Sequence, residues 1–145
     1  METDRLIEFV TNHYILFTGL LVVIVLLIQD FIESAFRKYS VATPIQAVSL
    51  MNDENTVLVD IREPHEYVKG HVEKARHIPL GSLEERKGEL AGLENNPIIV
   101  ICQMGTRSPQ ACKKLTNFGF TDVYNLGGGM QAWEDQKFPV KKGKK

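Results

Sequence analysis

The run PIIVIC, residues 97–102, followed at once by QMGTR and then SPQACKKLTNFGF, constrains the fold most. A short apolar, β-branched run reads as a strand buried on both faces. Ser108-Pro109 behind it reads as a helix start, with serine as cap and proline in the first turn. The same alternation recurs along the chain. TVLVDI (56–61) is strand-like and EPHEYVKG (63–70) a short helix closed by Gly70. ARHIPLGSL holds a brief extended piece ending at Pro79. SLEERKGELAGL has helical periodicity with Ser82 as its cap, DVYNL (122–126) is a strand, and GMQAWEDQKF is a last short helix. Ahead of these, Thr43-Pro44 caps a helix over PIQAVSLMN. Strands alternating with helices predict one α/β domain with a mostly parallel central sheet flanked by helices.

Composition sets outer limits. The net charge of −1 gives no overall basic field of the kind nucleic-acid binders carry, so no nucleic-acid partner is expected. Cys102 and Cys112 form neither a disulfide framework nor a zinc-ligand spacing, and the sequence calls for no metal and no cofactor. Two free thiols suit a reducing compartment.

The segment Phe9–Gln29 contains no Asp, Glu, Lys or Arg. About 20 residues at about 1.5 Å each match a hydrocarbon core of about 30 Å. The flanks METDRLIE and IQDFIESAFRK lack the basic start and small-residue cleavage site of a signal peptide. The expectation is a single transmembrane helix at about 9–29 within an N-terminal segment 1–36, followed by the α/β domain with a basic tail over 37–145. One basic residue, Arg5, precedes the span, and Arg37 and Lys38 follow it. The bias puts the domain on the cytoplasmic side of the inner (plasma) membrane. Such an anchor would also suit a membrane protein as partner.

In open parallel sheets, sites form at the carboxyl ends of strands. Cys102 stands at such an end, and so does Asp60. The thiolate is the nucleophilic form of cysteine, and three features of this loop favour it. A helix N-terminus points unpaired N–H groups at the loop, worth roughly 0.3–1 kcal/mol for an anion. Gly105 lets several loop amides turn inward, and Arg107 adds a positive charge. Such a ring of donors selects an oxyanion as substrate. The position marks a thiol meant to be reached. Arg62, near the end of its own strand, is a candidate for substrate contact or for an ion pair with Asp60 or Glu66. Cys112 reads as half-buried helix, His71 and His77 as packing residues, and Gly127–Gly129 as a tight turn.

These residues resemble the rhodanese family of sulfurtransferases. CQMGTRS fits its C-x-x-G-x-R-S loop. VDIREPHEYVKGHVEKARHIP is similar to its N-terminal signature, through Asp60, Arg62, Glu66-Tyr67, Gly70-His71 and Ile78-Pro79. NLGGGMQAW with FPV resembles its C-terminal signature, although DQKFPV lacks a glycine often found there. The resemblance covers roughly residues 37–140. It implies a single rhodanese-like domain with Cys102 as the catalytic nucleophile, carrying a persulfide. It further implies a thiosulfate-type small-molecule sulfur donor and a thiol or cyanide acceptor. The amides of Gln103, Met104, Gly105, Thr106 and Arg107 would cradle the transferred sulfur, with Arg62 as a further substrate contact. A related branch hydrolyses phosphate esters with one more residue between cysteine and arginine; four stand between Cys102 and Arg107 here. The rival expectation is a catalytically weak rhodanese-like module that binds a membrane partner.

Overall fold

The computed structural model describes Phe9 and residues 13–35 and 37–143. The chain divides into two compact units, residues 1–37 and 38–145.

The first unit contains α1, Tyr14–Ala35, a helix of 22 residues whose large apolar side chains from Tyr14 to Ile32 are exposed. Among the described residues no helix is long and apolar enough to cross a membrane. The sequence reading counted Phe9–Gln29 as one span. The described helix spans Tyr14–Ala35 and the sequence turns charged at Asp30. Its uncharged part therefore rises about 24 Å, short of the roughly 30 Å of hydrocarbon. The expected transmembrane helix, the single-pass inner-membrane location and the cytoplasm-facing orientation are thereby overturned. Arg5, used for that orientation, lies outside the described residues, as do Lys144 and Lys145 of the tail.

The second unit is built on five parallel strands in the order β1-β5-β4-β2-β3. They are β1 (Ser40–Ala42), β2 (Val57–Asp60), β3 (Arg76–His77), β4 (Ile98–Ile101) and β5 (Val123–Leu126). The helices are α2 (Pro44–Leu50), α3 (Pro64–Lys69), α4 (Ser108–Asn117) and α5 (Gly129–Asp135). The predicted parallel α/β layout is what forms. β1 had no signal in the sequence, because Ser40–Ala42 is short and gains its identity from pairing with β5. SLEERKGELAGL (82–93) forms no α-helix: a 3-10 turn, Leu80–Ser82, ends at its first residue and a second, Lys87–Leu90, lies within it. Gly88 and Gly92 interrupt it, and burial of Leu83 and Leu90 pins a turn on each side.

Alternation along each strand makes two cores. Val57, Val59, Ile98, Val100 and Cys102 face α4, meeting Ala111, Cys112 and Leu115. Leu58, Ile99, Ile101 and Leu126 face the other way, with Ala47 of α2 and Met130 and Trp133 of α5. The period of 2 in a doubly covered strand leaves no polar face, which is why IIVI is wholly apolar. Thr43 caps α2 as expected, in a reciprocal capping box with Gln46.

Candidate functional site

β4 is the central strand, so its carboxyl end opens between the ends of β2 and β5. Register places Ile101 beside Asp60 and Val100 beside Asn125. Cys102 follows as the first loop residue, and it has no exposed surface. The thiol that the sequence marked as one to be reached is therefore roofed by its own loop, whose tip, Met104, is 61% exposed.

The loop closes around the sulfur. The Gly105 N–H donates to Cys102 Sγ at 3.0 Å, and Ser108 Oγ lies 3.2 Å from the same atom. Gly105 has φ +83°, and a Cβ there would come within 2.9 Å of the Gly128 nitrogen, so the turn excludes larger residues. Burial pushes the Cys102 thiol up. The Ser108 hydroxyl and the backbone at Ser108, Arg107 and Met104 pull it down, and the net result lies below an ordinary thiol. Cys112 shows the contrast. It is buried in α4 without such donors, and desolvation, with the nearby Cys102 charge, pushes it up to about 12.

Ser108 does not cap α4, as the sequence reading had it. Arg107 occupies the cap position, and Ser108 begins the helix with its hydroxyl turned inward to Cys102 and to Asn125 Oδ1 at 2.5 Å.

Both arginines are engaged by protein groups. Arg62 is 2% exposed; its guanidinium donates to both Asp60 carboxylate oxygens, to the Gly70 carbonyl at 2.7 Å and to Gln103 Oε1 at 3.0 Å. This ties Gln103 to the end of β2 and holds the Arg62 guanidinium below the loop, in the ion pair with Asp60 that was one of its two expected roles. Arg107 grips Glu66 of α3 with two hydrogen bonds of 2.9 and 2.7 Å. That grip holds the Glu66 carboxyl at about 2 and raises Arg107. Thr106 is exposed and Gln103 half-buried. Of the loop amides expected to form a cradle, that of Gly105 already bonds the sulfur. A polar cavity of about 410 Å³ beside Gln103 is lined by Arg62, His65, Glu66, Lys69, Gly70 and Glu134 among others.

The sequence reading missed what lies behind the loop. Gly127–Gly129 is more than a turn: a Cβ on Gly129 would lie 2.3 Å from the Cys102 carbonyl oxygen. That close approach lets Met130 N–H donate to the Cys102 carbonyl at 2.8 Å and Gln131 N–H to that of Gln103 at 3.0 Å. The amino end of α5 thus holds the loop's backbone. Asn125 was silent as a site residue, and Glu66 was named for Arg62 but pairs with Arg107, since each acquires its role by long-range contact. Among the described residues no group of His, Cys, Asp and Glu side chains is arranged to hold a metal.

The fold and the site together define the class: a parallel α/β domain with a cysteine in a donor-lined loop at the carboxyl end of its central strand. A rhodanese-like domain model matches residues 43–136, and the chain belongs to the rhodanese-like family. The relatives it matches carry names of sulfurtransferases and of a putative sulfur carrier. Thiosulfate sulfurtransferase GlpE of Stutzerimonas stutzeri is 36% identical over 91 residues, 62% of this chain and 81% of that protein. The uncharacterized protein YibN of Escherichia coli strain K12 is 28% identical over 142 residues, 97% of this chain and 99% of that one. Against two Bacillus subtilis relatives of 42% identity, YqhL and the putative sulfur carrier YrkF, the match spans 59% and 43% of their lengths. Among solved structures, the polysulfide-sulfur transferase homodimer of Wolinella succinogenes is similar with a TM-score of 0.65 and 26% identity. That match covers 79% of this chain and 87% of that one.

Proposed function

We propose that this domain transfers a sulfane sulfur through a persulfide on Cys102, taking it from a donor such as thiosulfate and passing it to a thiol or cyanide. The observation that carries the reading is the environment of Cys102 Sγ: a cysteine at the carboxyl end of the central strand, bonded by the Gly105 N–H and pulled below an ordinary thiol.

The thiolate attacks the outer sulfur of thiosulfate. A bond forms between Cys102 Sγ and that sulfur, the sulfur–sulfur bond of the donor breaks, and sulfite leaves with the electron pair. The terminal persulfide sulfur keeps one negative charge, for which the amides of residues 103–107 are the nearest donors. Cyanide or a thiolate then attacks that terminal sulfur, and the Cys102 thiolate departs. We assign Arg62 and Arg107 to holding the loop, through Asp60 and Glu66, because their guanidinium donors already serve protein acceptors. A donor reaches the buried sulfur when residues 103–107 shift off it. The four-residue spacing from Cys102 to Arg107 suits a sulfur atom better than a phosphate group.

The test is intact-mass measurement of the full chain after thiosulfate treatment. The expected result is a gain of one sulfur atom with release of sulfite, absent in Cys102→Ser. Loading without turnover onto cyanide or a small thiol would mark a carrier that passes sulfur to a protein. No adduct would overturn the reading in favour of a binding module.

A further inference from the structure

Ser108 has one hydroxyl proton and two neighbours that compete for it. Asn125 Oδ1, a pure acceptor, stands 2.5 Å away, so the proton lies on that line. Ser108 Oγ then faces Cys102 Sγ at 3.2 Å with lone pairs alone, and the contact is a hydrogen bond when Cys102 donates its S–H. This arrangement fits the thiol. Once Cys102 ionises, the same arrangement sets two acceptors against each other in a site where Cys102 and Ser108 have no exposed surface and Asn125 is 6% exposed. Ser108 stabilises the thiolate when its proton swings to sulfur, and that leaves its oxygen in need of a donor. The carboxamide of Asn125 supplies one by turning over, because oxygen and nitrogen occupy equivalent places on that side chain.

We propose that Asn125 is a positioning residue for Cys102, acting through Ser108. Its Oδ1 meets the hydroxyl while Cys102 is a thiol. Its Nδ2 meets the hydroxyl when Cys102 is a thiolate, giving a chain N–H···O–H···S⁻. The thiol proton itself goes to solvent; the relay turns and carries no proton away.

The downward pull of the Ser108 hydroxyl on Cys102 is that of a hydroxyl donating to the sulfur, the orientation this second arrangement provides. The Gly105 N–H also donates to the sulfur, at 3.0 Å. Arg107 and Cys112 are the ionisable groups on which the Cys102 charge acts. Arg107 is paired with Glu66, and Cys112 stays a thiol with its pKa near 12. At the carboxyl end of β2 the Asp60 and Arg62 charges pair at 2.7 Å. β5 presents Asn125 itself, and α5 presents the backbone of Gly129 and Met130.

The inference rests on Cys102 being the reacting thiol, but its test reads the thiolate without sulfur transfer. Thiolate absorbance near 240 nm is followed against pH in the full chain, with Cys102→Ser as the blank and thermal melts confirming folding. Asn125→Asp fixes an acceptor opposite Ser108. It is expected to raise the Cys102 midpoint and cut the thiolate fraction at pH 7 about tenfold. In the Ser108→Ala background the same substitution is expected to lose more than half of that effect. Equal shifts in both backgrounds, or no shift in folded Asn125→Asp, overturn the proposal, the first by revealing a direct field of the new carboxylate. Should Asn125→Asp fail to fold, the Asn125 side-chain amide resonances of the unsubstituted protein decide. They are expected to titrate with Cys102 and to stop doing so in Ser108→Ala. Resonances that stay still, or that move equally in Ser108→Ala, refute it.

Discussion

Replacing Glu66 by glutamine tests the claim that an ion pair between α3 and the Cys102 loop contributes to stability. The Arg107 guanidinium holds the Glu66 carboxyl at about 2 against an ordinary 4.5. At about 1.36 kcal/mol for each tenfold change in affinity for the proton, that difference has a ceiling of roughly 3 kcal/mol. The pair is partly wet, with Arg107 37% and Glu66 19% exposed in their side chains, so solvent screening cuts the figure to about 1–2 kcal/mol. The sign follows from a folded-state pKa below the unfolded one. The stabilisation is complete above pH about 4.5 and is lost as pH falls through about 2. Glu66→Gln is therefore expected to be less stable than the parent by about 1–2 kcal/mol at pH 7. The gap should narrow from pH about 4.5 downward and close near pH 2. Urea unfolding followed by Trp133 fluorescence across that range measures it. A gap that stays constant down to pH 2, or none at pH 7, would refute the claim that this bidentate pair, and not packing, is what Glu66 contributes.

Gly129→Ala places a Cβ 2.3 Å from the Cys102 carbonyl oxygen at φ +59°. It should abolish persulfide loading and lower the melting temperature, and a variant that still loads sulfur at the parent rate would contradict the packing described. Cys112→Ala should leave sulfur loading within about twofold, since a thiol held near pKa 12 supplies no thiolate at neutral pH. A loss of loading there would assign Cys112 a chemical role. Asp60→Asn strips the buried Arg62 of its counter-charge, and unfolding in urea should show a cost of about 3–5 kcal/mol. A cost under about 1 kcal/mol would mean that the Gly70 carbonyl and Gln103 suffice to hold the guanidinium.

Much of this molecule follows from local order along the chain. IIVI must lie between two layers because it has no polar face, and the helix start at Pro109 must return the chain beside it. Cys102 therefore had to stand at a strand end ahead of a helix, whatever the remaining folding. The capped helix at Thr43 and the strands at Val57 and Val123 are equally local. The N-terminal run shows the limit of reading apolarity by length. Composition suggested a span over Phe9–Gln29, whereas the described helix begins at Tyr14 and leaves an uncharged stretch too short for one.

What tertiary structure alone decided lies in contacts between residues far apart in sequence. Glu66 and Arg107 are 41 positions apart, and so are Arg62 and Gln103. Their pairing depends on β2 and β4 being neighbours, which no local pattern states. Ser108 looks like a cap in any sequence window. It turns inward because β5 brings Asn125 within 2.5 Å of its hydroxyl. The thiol itself was legible in the sequence; its burial, and the hydrogen bonds that set its charge, come from the strands and helices that close around it.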